Sequence, residues 1–144
     1  MKFFSLVLSV GVLSFIQSCG FSVFGIVPNL ALAAVVASAF FAADLFEGIF
    51  LVLLSALILK FGSGFESGIL AFALIGAAAV VMAKFIPWRY FVGNLTAIIV
   101  AVLLFYAFLN PELILSLVFV KELFLDIVAS SLIFAFLYFL WQDK

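Results

Sequence analysis

The sequence predicts an all-α fold, a polytopic transmembrane bundle of about six helices, and three observations lead there. Seventy per cent of the 144 residues are hydrophobic and 9% are charged, where soluble domains carry roughly 25% charged residues. Six Lys and Arg with seven Asp and Glu are too few to coat a water-facing surface, so lipid is the solvent that fits. The charges also act as punctuation: each costs about 2.5–3.5 kcal/mol at the centre of a membrane helix, so they gather at the ends of apolar runs.

Reading between the charges gives one domain with spans at about 3–18, 29–43, 48–60, 67–86, 93–109 and 122–141. The first ends at Gln17-Ser18-Cys19, and a segment rich in Gly and small polar residues follows. Pro28 opens the second span, because proline at a first turn loses no hydrogen bond. The second and third spans are short against the roughly 20 residues that cross about 30 Å of hydrocarbon, which leaves a re-entrant hairpin over 29–60 as the alternative. Gly68, Ala71, Gly76 and Ala79 supply small side chains to the fourth span, so this helix is expected at the centre of the bundle; Ala33, Ala34, Ala37 and Ser38 mark a similar face on the second. Pro87-Trp88-Arg89-Tyr90 has the interfacial character of a headgroup-level loop. Asn94-Leu95-Thr96, a glycosylation triplet in form, opens the fifth span and is expected to be idle. Asn110-Pro111-Glu112 breaks the chain, residues 113–120 are expected to form a separate interfacial or partly buried helix ending at Lys121-Glu122, and the last span follows. Most of the 21 Phe are expected to face lipid.

Counting Lys and Arg over six spans puts Lys2, Lys84, Arg89 and Lys144 on one side and Lys60 and Lys121 on the other, which favours cytoplasmic termini. No His and one Cys remove zinc sites, Ser-His triads and Cys-His nucleophiles by inventory. No enzymatic activity, metal or cofactor is expected, and the net charge of −1 offers no basic patch for nucleic acid. Cys19 reads as a small filler at a helix end. A lipoprotein-type cleavage before it is disfavoured by Gln17, so residues 3–18 are expected to stay as the first helix.

Two acidic pairs are the main candidate sites. Asp44 and Glu47 lie one turn apart between the second and third spans, either as solvated span-end acids or, if buried, paired with Lys84 and Arg89 on the same side. Glu122 and Asp126 are four residues apart near the start of the last span, where acids suit the positive end of the helix dipole. They are either structural, or a partner contact, or a proton or substrate site, with Ser130 and Ser131 continuing inward.

Residues from about 16 to 76 resemble the rod shape-determining protein MreD family. The likeness sits in Gln17-Ser18 closing a first helix, a glycine-containing loop, Gly25-Ile26-Val27-Pro28-Asn29-Leu30 opening a second, Glu47-Gly48 starting a third, and the loop Gly62-Ser63-Gly64-Phe65-Glu66-Ser67-Gly68. Lys60 stands where the family usually has an aspartate, and the third span lacks its internal glycines. The resemblance implies a non-enzymatic scaffold of the cell-elongation machinery in the bacterial inner membrane. Its partners would be membrane lipid, an MreC-like single-span protein and other elongation components, and self-association is compatible with it. Pro28, Asn29, Asp44, Glu47, Gly48, Lys84, Arg89, Glu122 and Asp126 are the expected structural or partner-contact residues. The family's fold is similar to that of substrate-binding components of energy-coupling-factor vitamin or metal transporters, which gives the alternative: a small-molecule-binding membrane subunit with a polar cavity at its outer face.

Overall fold

The computed structural model describes residues 2–63, 66–85 and 90–142. The described chain is all-helical: α1 (Lys2–Ser18), α2 (Leu30–Ala39), α3 (Leu45–Ser63), α4 (Glu66–Phe85), α5 (Tyr90–Leu109) and α6 (Leu117–Gln142), with one 3-10 turn at Pro111–Leu113. Among the described residues three helices are long and apolar enough to cross a membrane, within α4, α5 and α6.

The centre of the bundle is α2, not α4 as the small residues of the fourth span suggested. Ten residues long, α2 is Leu-Ala-Leu-Ala-Ala-Val-Val-Ala-Ser-Ala, and every residue after Leu30 is buried. It packs against all five other helices. A helix sheathed in alanine on every side can be approached closely from every direction, and in lipid such van der Waals packing is the main force between helices. By contrast α4 keeps a lipid-type stripe at Leu70, Leu74, Val81 and Phe85, so its small residues serve only its inner face. One of them, Gly76, sits where a Cβ would come within 3.1–3.5 Å of Val52 on α3 and Val35 on α2.

Successive pairs α1–α3, α3–α4, α4–α5 and α5–α6 pack side by side around α2. The remaining seam, between α6 and α1, is an apolar groove lined by Leu8, Ser9, Val12, Leu13, Leu132, Ile133 and Phe136. Near the termini Lys2 Nζ lies 4.8 Å from the Trp141 ring centroid across that seam, a cation–π contact.

The molecule is inverted relative to a soluble fold. Large apolar side chains stand exposed along one stripe of each outer helix, such as Phe4, Leu8, Val12 and Phe15 on α1 and Phe124, Val128, Leu132, Phe136 and Phe139 on α6. Polar side chains lie inside: Ser14, Asn29, Ser38, Ser55, Asn94, Asp126 and Ser130 are buried. Only lipid accepts an exterior of that kind without association. Of the Phe residues, Phe72, Phe119 and Phe134 are buried and most of the others exposed, as expected of bulk that faces lipid.

Helix ends account for the departures from the expected spans. Residues 40–43 are not helical; α2 stops at Ala39 and the Phe41 and Ala42 amides both return to the Ser38 carbonyl. Asp44 then caps α3: its Oδ1 accepts from the Glu47 amide at 2.8 Å, and Glu47 Oε2 accepts from the Ala43 amide at 2.7 Å. This arrangement satisfies the first-turn Glu47 amide that a helix start leaves orphaned and ties down the Ala43 amide just before the cap, and α3 starts at Leu45. Lys60 does not end α3, which runs on to Ser63, because an exposed lysine in a last turn suits the negative end of the dipole. The expected interfacial helix over 113–120 is absent. Ser116 caps α6, its Oγ accepting from the Phe119 amide at 3.2 Å, and α6 continues unbroken through Lys121 and Glu122. At 26 residues it is about 39 Å long, more than the hydrocarbon thickness, so charges in its first turns need not break it.

Between α1 and α2, Gly20 (φ 78°) ends the first helix in the left-handed conformation that glycine adopts freely. Val23 and Ile26 exchange both backbone hydrogen bonds around Phe24 and Gly25, which have φ of 52° and 79°. Phe24 is 97% exposed at the tip of this turn. Between α1 and α3, the hydroxyls of Ser14 and Ser55 meet at 2.6 Å, both fully buried.

Candidate functional site at the start of α2

The first turn of any helix presents amides with no intrahelical partner, and inside an apolar bundle water cannot take them. In this chain three side chains from three elements do so. Asn29, the N-cap, accepts the Leu32 amide on its own Oδ1 at 3.2 Å. Gln17, from the last turn of α1, accepts the Ala31 amide on Oε1 at 2.7 Å. Asp126, from α6, accepts the Asn29 amide on Oδ1 at 2.7 Å. Pro28, buried just before the cap, has no amide hydrogen to satisfy. A carboxyl group facing a helix start also suits the dipole. Asp126 is fully buried, and its Oδ2 has no partner among the described residues.

One turn earlier on α6, half-buried Glu122 accepts the hydroxyl of Tyr106 from α5. Glu122, Tyr106, Asn29 and Gln17 line a cavity of about 400 Å³, together with Asn110 and an apolar wall that includes Phe72 and Phe105. The cavity occupies the end of the bundle where α1, α3 and α5 finish and α2, α4 and α6 begin, opposite the described termini. One turn beyond Asp126, buried Ser130 donates to Asn94 Oδ1 at 3.0 Å. Asn94 Nδ2 and Ser38 Oγ are buried with no partner among the described residues.

At the other end of the bundle, Lys84 Nζ donates to the Ala42 carbonyl. Residues 29–42 therefore run from the cavity end to the end where α4 finishes. Of the two readings of Asp44 and Glu47, the buried pairing with cations is not observed: among the described residues no ion pair joins them to Lys84, whose Nζ donates to a backbone carbonyl, and both carboxylates accept backbone amides at the start of α3. Arg89 lies outside the described residues. Gly48 is a packing position, since a Cβ there would stand 2.4 Å from Val80 Cγ1 on α4.

The nine candidates thus divide by location. Pro28, Asn29, Glu122 and Asp126 meet at the cavity end, Asp44, Glu47, Gly48 and Lys84 sit at the opposite end, and Arg89 is not described. Sequence reasoning missed Tyr106 and Asn94 as members of polar contacts, and used Gln17 only as part of a motif. A glutamine in a last helical turn, twelve residues before the N-cap Asn29, is the signal that could have pointed to it. Asn94 is fully buried.

Fold and site together define a helical membrane bundle in which three polar side chains, Gln17, Asn29 and Asp126, converge on one buried helix start. Comparison of the chain with family models, with curated proteins and with solved structures gives no match.

Proposed function

We propose that the chain is a non-enzymatic scaffold of the bacterial cell-elongation machinery, of MreD type, that binds an MreC-like single-span protein in the inner membrane. The observation that carries this reading is the convergence of the residues on which the resemblance rests. Gln17 and Pro28-Asn29-Leu30, twelve or so positions apart in sequence, join in capping one helix start, so they belong to one structural element and not to separate stretches of greasy helix. The apolar α6–α1 groove offers a single-span partner an intramembrane surface whose one polar lining residue is Ser9. In this reading α1, α3 and residues 29–42 cross the bilayer along with α4, α5 and α6. That makes six crossings, with both termini in the cytoplasm.

The test is affinity purification from mild detergent with mass spectrometry, joined to cysteine crosslinking from Val12 and Leu132. Recovery of a single-span cell-shape protein crosslinked at the groove, and rounding of rod-shaped cells on depletion, are the expected results. Recovery of an energy-coupling ATPase pair would instead establish the second reading, a substrate-binding transporter subunit. The cavity beside Glu122 favours that alternative, because such a subunit must supply hydrogen-bond partners to a ligand withdrawn from water.

A further inference from the structure

The cavity at the start of α2 has a chemistry more specific than its volume. Among the described lining residues its one acid is Glu122, whose Oε2 takes the Tyr106 hydroxyl. Gln17 and Asn29 have already committed their carbonyl oxygens to α2 amides, so toward the cavity they add amide N–H donors. No Lys or Arg is among the described lining residues; Lys60 and Lys121 are exposed and are not among them. Behind the wall a second carboxyl group, Asp126, is bonded to the lining residue Asn29 and keeps one oxygen unpartnered. An anion entering here would meet the Glu122 carboxylate and, among the described lining residues, neutral amide donors but no cationic side chain to offset that charge, which is unfavourable in a medium of low dielectric. A cation would meet Glu122, and Phe72, Phe105 and Tyr106 line the same cavity, aromatic rings being groups that attract ammonium through their quadrupole. The rest of the wall, including Leu59, Ile69 and Leu109, can only be matched by hydrocarbon.

We infer that this cavity binds an ammonium group carried on an apolar body, with Glu122 as its counter-ion and the aromatic side chains around it. The ligand is either a free amphipathic amine or the amine headgroup of a membrane lipid, and both have the same recognised chemistry. The inference rests on the cavity alone and not on the scaffold reading, so a failed partner recovery leaves it intact and the reverse also holds.

The test uses the full chain in dodecyl maltoside, with octylamine, octanol and octanoate as matched probes, read by thermal unfolding across probe concentration and by saturation-transfer NMR. Octylamine is expected to raise the midpoint in a saturable way and to bind about tenfold or more tightly than octanol, with octanoate weakest. Glu122→Gln is expected to lose that preference, while Glu112→Gln, an exposed acid outside the cavity, keeps it. Leu109→Trp, which fills the cavity and spares Glu122, is expected to block octylamine even if the Glu122 variant does not fold. Phosphatidylethanolamine displacing octylamine identifies a lipid headgroup as the source; displacement by soluble amines alone identifies a free amine. Equal binding of octylamine and octanol, or full octylamine binding by the Leu109→Trp protein, overturns the inference.

Discussion

Replacing Asp126 with leucine probes the contact on which the packing of α2 depends. The carboxyl oxygen and the Asn29 amide are 2.7 Å apart, the aspartate is fully buried and Asn29 is 6% exposed. Removing the acceptor leaves the amide with neither protein nor water, a loss of about 1–3 kcal/mol. The dipole contact at the helix start adds about 0.3–1 kcal/mol. Removing Oδ2, which has no partner, returns part of this, because an unpaired polar atom is itself costly in an apolar interior. The net expectation is a destabilisation of about 1–3 kcal/mol, roughly 5- to 150-fold in the folding equilibrium. Asp126→Asn keeps an oxygen at the same place and is expected to stay within about 1 kcal/mol of the parent. Unfolding by SDS titration in mixed micelles, followed by circular dichroism, measures both. If the leucine variant unfolds at the same SDS fraction as the parent, or the two variants fall together, the capping account of Asp126 is wrong.

Three further outcomes follow from the packing. Gln17→Leu removes the acceptor of the Ala31 amide and should cost about 1–2 kcal/mol in the same titration, with Gln17→Glu recovering most of it. Gly48→Ala puts a methyl group against Val80, so a loss of about 1–3 kcal/mol is expected, relieved when Val80→Ala is added; a double-mutant cycle that shows no coupling contradicts the close approach of α3 and α4. Ser14→Ala and Ser55→Ala should each cost about 0.6 kcal/mol, and the double variant no more than either one, because both remove the same hydroxyl pair.

Much of the fold is legible in the chain because membrane solvation imposes a strong one-dimensional signal. Apolar composition, the placement of Lys84 and Asp44 at run ends, and Pro28-Asn29 before Leu30 locate all six helices to within a few residues at most ends. The exceptions are local. Lys121-Glu122 looks like a break until Ser116 is seen to start α6, and the end of the second span at Ala39 has no strong sequence marker. The acids were harder to assign. Asp44-Leu45-Phe46-Glu47 carries the spacing of a reciprocal helix cap, which the sequence shows but does not distinguish from a pair of solvated acids. Glu122 and Asp126 share a helical face in sequence, yet one lines a cavity and the other is sealed beneath it, and the difference lies in Tyr106 and Asn29, contributed by α5 and the start of α2.

The sequence by itself determined the solvent and the helical class, because both depend on how many charged groups there are and how far apart they stand, and these are properties of the chain before it folds. Only the tertiary structure decided that the shortest helix is the core and that Gln17, Asn29 and Asp126 serve one helix start. Those contacts join residues as many as 97 positions apart, and which of many polar groups reaches a buried amide depends on how the helices pack around it.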